Sequence, residues 1–128
     1  MEYINMGYES RIYIVEKTTS LNCDNGKYFA LEIARFALGK VRYISNYLRE
    51  KPVTNCYIYA DDDNTQIVED KYGSPLTECT PEDLITLINQ SIANAHLDRL
   101  YYPLLVFLES IVKNPNYWPN VVCLHYGY

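Results

Sequence analysis

Three short segments rich in β-branched and aromatic residues constrain the fold of this chain more than any other feature. They cover residues 11–16, 56–60 and 121–126, and such composition is typical of β-strands. The last of the three is apolar at almost every position, which favours a central place in a sheet. Residues 66–69 predict a fourth, shorter strand that forms a hairpin with residues 56–60 across a polar turn. The sequence therefore predicts a substantial β-sheet.

The second half of the chain contains two helix patterns with recognisable starting signals. Thr80 is suited to cap a helix and Pro81 fits the first helical position, so a helix is predicted from there to about residue 95. Another helix is predicted to begin near Pro103, because a proline is disfavoured deep inside a helix. A third, shorter helix is predicted over residues 41–49. Apolar residues recur at helical spacing in all three, which predicts that each helix buries one face.

Residues 27–38 carry two conflicting patterns. Phe29, Leu31 and Ile33 alternate as in a strand, yet helix-forming residues lie among them at helical spacing. A turn signal at residues 24–26 comes directly before this segment and favours a strand that pairs with the first one. We therefore predict a strand here, with a helix as the alternative.

The predicted order of elements, β-β-α-β-β-α-α-β, indicates an α+β fold. We expect a single, mainly antiparallel sheet with about three helices packed on one face. The length of 128 residues fits one domain, which we take to span residues 1–128. One core should bury residues from both helices and strands, namely Leu84, Ile88, Leu104, Leu108, Ile58 and Val122.

Tyrosine is unusually frequent, with 14 residues in the chain. Core filling alone does not explain this number, because a buried phenol needs a hydrogen-bond partner, whereas tyrosine is common at protein interfaces. Strand alternation places four of them opposite aliphatic neighbours that the helices should cover: Tyr13, Tyr57, Tyr59 and Tyr126. We expect the first three to be partly exposed. Two interpretations remain open: these tyrosines form an interaction surface for a partner or a second copy, or they merely cover the far side of the sheet.

Charge and hydropathy exclude several classes of partner. The formal net charge of −5 repels nucleic acid on average. The basic segment over residues 35–51 contains Tyr43 and Tyr47 and could favour single-stranded nucleic acid, but no such partner is expected. No apolar run approaches the roughly 20 residues that span a bilayer, and the N-terminus lacks a basic leader. We therefore expect a cytoplasmic protein without membrane contact.

The four cysteines lie far apart in the sequence and form no C-x-x-C pair. This spacing argues against a zinc site and against a thioredoxin-type redox motif. Without a secretion signal, all four thiols are expected to be reduced. Cys56 and Cys123 lie within apolar runs and are predicted to be small core residues.

Neither catalysis nor metal binding can be assigned to a motif in the sequence. Asp61, Asp62 and Asp63 suggest a calcium site. The EF-hand loop requires glycine at its sixth position and glutamate at its twelfth, but those positions are occupied by Gln66 and Tyr72. A solvated hairpin turn is therefore favoured, and a divalent-ion or small-ligand site at this acidic hairpin is the alternative. We expect no cofactor.

A cysteine–histidine pair is the remaining catalytic candidate. Cys123 and His125 share one strand face, because side chains alternate along a strand. Two residues so close on one strand leave no normal place for a substrate and oxyanion donors. A cysteine hydrolase is therefore disfavoured, and His125 is expected to be a half-buried or edge residue. Whether the protein is an enzyme stays open, with a non-enzymatic role favoured.

Three short stretches, at residues 56–62 (CYIYADD), 69–73 (EDKYG) and 121–127 (VVCLHYG), resemble those of small uncharacterised proteins from gut-dwelling Firmicutes. The resemblance implies a bacterial cytoplasmic protein and supplies no activity. From the residues themselves we favour a protein-interaction or self-associating module that uses a tyrosine-rich sheet face. The alternative is a small ligand-binding or divalent-ion-binding protein, or an enzyme, that uses the acidic hairpin around residues 61–63.

Overall fold

The computed structural model describes residues 9–18, 27–39, 42–59, 65–95, 98–114, 116 and 120–128. Within these residues the chain forms six strands and three helices. The strands are β1 (Ser10–Lys17), β2 (Tyr28–Gly39), β3 (Cys56–Tyr59), β4 (Gln66–Ile67), β5 (Thr77–Cys79) and β6 (Val121–Gly127). The helices are α1 (Arg42–Arg49), α2 (Pro81–Ala95) and α3 (Asp98–Lys113). None of these helices combines the length and apolar character needed to cross a bilayer.

The six strands form one mixed sheet in the order β4-β3-β2-β1-β6-β5. Strands β3 and β2 pair in parallel, and the other neighbouring strands pair antiparallel. The fold is therefore α+β as predicted, but the expectation of a mainly antiparallel sheet is wrong. The reason is that α1 lies between β2 and β3 in the sequence, so the chain crosses back before β3 begins.

The sheet curls into a half-barrel, and Leu76 at its β5 edge bonds to the chain beside β4 and β3 at the opposite edge. Leu76, directly before β5, donates its N–H to the carbonyl of Val68 beside β4, at 3.2 Å. The carbonyl of Leu76 accepts a hydrogen bond of 2.9 Å from the N–H of Thr54, which lies just before β3. One face of the sheet is thereby enclosed, and we call it the inner face. Its buried residues are Tyr13, Val15, Ala30, Cys56, Ile58, Leu76 and Leu124.

The three helices pack against the opposite face, which we call the outer face. Ile12 and Ile14 of β1 contribute to this second, larger cluster. Leu84, Ile88, Leu104 and Leu108 are buried there, as predicted. Ile58 and Val122 pack in the inner-face cluster instead, so the expectation of one common core is wrong. Because the sheet is curled, it buries apolar side chains on both of its faces.

A β-bulge in β2 explains the conflicting sequence pattern of this segment. Ile14 of β1 pairs with Ala34. The next residue, Val15, pairs with Glu32, so Ile33 is an extra residue in β2. A strand was the favoured prediction here, and the alternation changes face at the bulge. Residues on the outer face after the bulge are Ala34, Phe36 and Leu38, whereas Tyr28 and Ala30 before it lie on the inner face.

The helix boundaries confirm one prediction and correct another. Thr80 caps α2, because its Oγ1 accepts a hydrogen bond of 3.1 Å from the N–H of Asp83. Helix α3 begins at Asp98, so the predicted start near Pro103 is wrong. Pro103 lies inside this helix, where a proline removes one main-chain hydrogen bond. Packing of the apolar face, on which Tyr101 and Leu108 are fully buried, compensates for that loss.

Candidate functional site

The four predicted surface tyrosines differ widely in exposure. Tyr13 and Tyr57 are buried, with exposed fractions of 5% and 6%. Tyr126 is half-buried, and Tyr59 is 43% exposed. The expectation of partial exposure is therefore wrong for Tyr13 and Tyr57, because the curled sheet leaves neither face fully open. A role of these residues in an interaction stays a prediction.

The same tyrosines also lie on two different faces of the sheet. Tyr13 packs in the inner-face cluster together with Cys56 and Ile58, and Tyr126 packs against that cluster. Tyr57 and Tyr59 alternate with Cys56 and Ile58 along β3, so they point away from the inner face. Their rings contact each other and Phe29, with centroids 5.4–5.9 Å apart. The single tyrosine-rich face that the sequence indicates is thus divided into two separate groups.

The inner-face group is built around an arginine, and we call it the Arg11 cluster: Arg11, Tyr13, Arg35, Tyr126 and Tyr128. Strand register assembles it, because Arg11 lies opposite Tyr126 and Tyr13 lies opposite Arg35. The Cζ atom of Arg11 is 4.3 Å from the ring centroid of Tyr128, 5.9 Å from that of Tyr13 and 6.0 Å from that of Tyr126. Arg11 Nη1 also donates a hydrogen bond of 3.0 Å to the hydroxyl of Tyr13. The guanidinium is therefore held against three aromatic rings.

The two arginines of the cluster differ in their charge partners. Arg35 lies 4.9 Å from the Tyr13 ring centroid and forms a bidentate pair with Glu32, with both N–O distances at 2.8 Å. Within the described part of the chain, no carboxylate forms an ion pair with Arg11. The carboxylate of Glu9 instead accepts a long hydrogen bond of 3.5 Å from Tyr128. Arg11 thus supplies positive charge that the described residues leave without a carboxylate.

The phenol of Tyr126 acts as a neutral hydrogen-bonding group. Burial raises the pKa of Tyr126 above its ordinary value, with further contributions from the nearby Tyr13 and Asp70, so its hydroxyl stays protonated at neutral pH. Tyr126 and Tyr13 meet edge to face, with centroids 6.2 Å apart. No described residue in the cluster has the pairing of a nucleophile with a general base. The arrangement places a guanidinium charge beside aromatic rings and phenol hydroxyls, which is a combination suited to binding an anionic group.

His125 lies elsewhere, on the outer face, where it is buried and contacts the hydroxyl of Ser10. The ring is 4% exposed, and its Nε2 lies 2.9 Å from the hydroxyl of Ser10, which in turn bonds to the hydroxyl of Ser45. Burial lowers the pKa of His125 to about 4, with Asp70 acting in the opposite direction and Arg49 adding to the decrease. Ser10 is only 1% exposed, so a substrate cannot reach its hydroxyl, whereas His125 lines a cavity of about 350 Å³.

The remaining catalytic and metal candidates are not assembled among the described residues. Cys123 is buried as predicted, and the residue opposite it in the sheet is Cys79. His125 is buried, not half-buried or at an edge. No group of histidine, cysteine or acidic side chains in the described ranges is arranged to hold a metal ion. Asp61, Asp62 and Asp63 lie outside those ranges, so the acidic hairpin remains a prediction.

Sequence reasoning identified two members of the cluster and missed its centre. Tyr13 and Tyr126 were recognised from the tyrosine count and from strand alternation. Arg11 carries a usable signal, because it lies two residues before Tyr13 and therefore shares its strand face. Tyr128 and Arg35 depend on the register of β1 with its two neighbours, which alternation alone does not give.

Comparison of the chain with protein-family models, with curated proteins and with solved structures found no match. Function therefore has to be inferred from the arrangement of side chains. Within the described residues, the Arg11 cluster is the site where charge, aromatic area and hydrogen-bond donors meet on one face.

Proposed function

We propose that this protein is a non-enzymatic interaction module that binds an acidic segment of a partner protein through the Arg11 cluster. The observation that supports this proposal is the half-buried Arg11, whose guanidinium lies against three tyrosine rings and forms no ion pair with a described carboxylate. Arginine and tyrosine are the residue types that most often dominate binding energy at protein interfaces. A surface that presents both therefore has the composition of a binding centre.

The position of Arg11 reduces the entropic cost of binding. Its hydrogen bond to Tyr13 and its contact with the Tyr128 ring restrict the side chain to few orientations before any partner arrives. A planar guanidinium can accept a carboxylate through two parallel hydrogen bonds, which makes such contacts both strong and directional. The hydroxyl of Tyr126 can add a donor to the same partner segment.

A protein segment fits this site better than nucleic acid does. The formal net charge of −5 opposes a polyanion that would approach over a large area. A short acidic segment needs only local positive charge, which Arg11 supplies. A second copy of the chain could also supply the carboxylates, because eight acidic residues and one lysine lie between residues 61 and 83.

The first prediction concerns the binding of a fluorescein-labelled glutamate-rich peptide, measured by fluorescence anisotropy. The variant R11A should weaken binding by about tenfold to a hundredfold, because a hydrogen bond to a charged group contributes about 1.5–3 kcal/mol. R11K should bind more weakly than the native protein, since lysine keeps the charge but lacks the planar fork. K113A removes an exposed charge at the end of α3 and should leave binding unchanged.

Two outcomes would contradict the proposal: equal binding by R11A and the native protein, or equal binding of a glutamine-substituted peptide. Far-UV circular dichroism of each variant checks that the fold is retained. Sedimentation velocity of the protein alone distinguishes the two sources of carboxylate. A dimer that dissociates in R11A but not in K113A would show that a second copy, rather than a different partner, occupies the cluster.

A further inference from the structure

Two cysteines that are far apart in the sequence lie directly opposite each other in the sheet. Cys79 of β5 pairs with Cys123 of β6 in the antiparallel ladder. Both side chains point to the outer face, where they belong to the same buried cluster, and the neighbouring Cys79 raises the pKa of the Cys123 thiol. The backbone around them is regular β-structure.

The register of β5 with β6 gives the two cysteines a Cα separation typical of a disulfide. Directly opposed residues in an antiparallel pair have Cα atoms about 4.5–5.5 Å apart. Disulfide-bonded cysteines have Cα atoms about 4.4–6.8 Å apart, so the first range lies within the second. Cys56 is buried on the inner face, on the other side of the sheet, and cannot substitute for either residue.

The two thiols differ in their access to a reagent. Cys79 lines a cavity of about 420 Å³, whereas Cys123 does not. The charged residues around that cavity form two ion pairs, Lys17 with Glu78 at 3.1 Å and Lys51 with Asp83 at 3.4 Å. Cys79 is 6% exposed and Cys123 is 1% exposed, so we expect a reagent to reach the Cys79 thiol first.

We propose that Cys79 and Cys123 form a reversible disulfide and that this pair is a redox modification site of the protein. The oxidant is a low-molecular-weight disulfide of the glutathione type. Cys79 loses its thiol proton to solvent and attacks one sulfur of the oxidant, which breaks the oxidant's S–S bond and releases one thiolate. Cys123 then loses its proton and attacks the Cys79 sulfur, which releases the second thiolate. The protein gives up two electrons and two protons, and the oxidant becomes two thiols.

Oxidation at this position changes the mechanics of the sheet. Strand β5 is a three-residue edge strand that leads directly into α2 at Pro81. A bond to β6 fixes that edge covalently and closes a long loop between the two cysteines, which restricts the unfolded chain. The oxidised protein should therefore unfold at a higher temperature than the reduced protein. This proposal is independent of the one for the Arg11 cluster.

The second prediction is tested on the whole chain in buffers of defined reduced and oxidised glutathione ratio. Thiols are then alkylated in denaturant and counted by intact mass and peptide mapping. The reduced protein should take four adducts, one for each cysteine in the sequence. The oxidised protein should take two, with the Cys79 and Cys123 peptides linked to each other. C56S is the matched control and should still form this link.

Single variants test the order of the two steps. C123S should retain one glutathione on Cys79, because the residue that releases it is absent, whereas C79S should retain none at Cys123. If C123S does not fold, C123A gives the same readout, because alanine places no hydroxyl in the buried site. Four adducts under every glutathione ratio, or a linked peptide that contains Cys56 or Cys23, would overturn the proposal.

Discussion

The imidazole of His125 is neutral at neutral pH because it is buried. Its Nε2 bonds to the hydroxyl of Ser10, and Thr77 lies opposite it in β5. Burial lowers the pKa of His125 to about 4 from an ordinary value near 6.5, with Arg49 contributing in the same direction and Asp70 opposing both. The folded protein therefore binds this proton less readily than the unfolded chain does.

The third prediction is that His125 makes the protein sensitive to acid. Above about pH 6.5 the imidazole is neutral in both states, and its full contribution to stability is present. Between about pH 6.5 and pH 4 only the unfolded chain takes up the proton, so the free energy of unfolding decreases, by roughly 3 kcal/mol for one group. Thermal unfolding at several pH values should show this decrease. Carboxylates that become protonated over the same pH range also contribute to the measured loss of stability.

His125→Gln isolates the histidine from those carboxylates. The glutamine side chain has no proton to gain in this range, while it can still hydrogen-bond to Ser10. The native protein should lose stability more steeply than the variant as the pH falls from about 6.5 to 4. Equal slopes for the two proteins would show that His125 titrates normally in the folded state.

At the scale of elements, β2 shows that a sequence pattern can predict a strand without predicting which face each of its residues occupies. The alternation over residues 27–38 predicts a strand, and the strand exists. The competing helical spacing arises because Ile33 is an extra residue, which moves the apolar positions of the second half to the other face. Strand β5 was missed, since three residues with one charge carry no periodic signal. The parallel pairing of β2 with β3 was also missed, because it depends on where α1 returns the chain.

Helix α3 is anchored to β2 by one buried hydroxyl. Tyr101 is fully buried, and burial raises its pKa to about 12. Its hydroxyl donates a hydrogen bond of 3.3 Å to the carbonyl of Leu38. Leu38 lies at a second irregularity in the pairing of β1 with β2, so its carbonyl benefits from a partner outside the regular ladder.

The fourth prediction is that Tyr101→Phe destabilises the protein by about 1–3 kcal/mol, because it leaves the buried carbonyl of Leu38 without its partner. Tyr102→Phe is the matched control, since the neighbouring ring is 63% exposed and its hydroxyl can bond to water. That variant should stay within about 0.5 kcal/mol of the native protein. Chemical denaturation of the three proteins gives the comparison. A loss in Tyr102→Phe as large as that in Tyr101→Phe would contradict the anchoring role.

At the scale of the whole molecule, two apolar clusters share a single sheet. Alternating residues of β1 contribute to each, with Ile12 and Ile14 on the outer face and Tyr13 and Val15 on the inner face. Leu76 joins the two sheet edges around the inner cluster through its main-chain hydrogen bonds. The chain is thus arranged so that neither cluster can open without disturbing β1 and β6, which lie between them.

The last prediction follows from that shared sheet. Leu76→Ala removes a fully buried side chain from the inner cluster, and Leu108→Ala removes one from the outer cluster. Each should cost about 2–5 kcal/mol. We expect the two clusters to unfold together. Both variants should then increase the rate of amide hydrogen exchange in β3 and in α2 by similar factors. Mass spectrometry of peptides from the two elements measures these rates. Faster exchange of β3 in Leu76→Ala, with α2 still protected as in the native protein, would mean that the inner cluster opens on its own. The side chains that hold the Arg11 cluster in place would then be mobile while the helices remain folded.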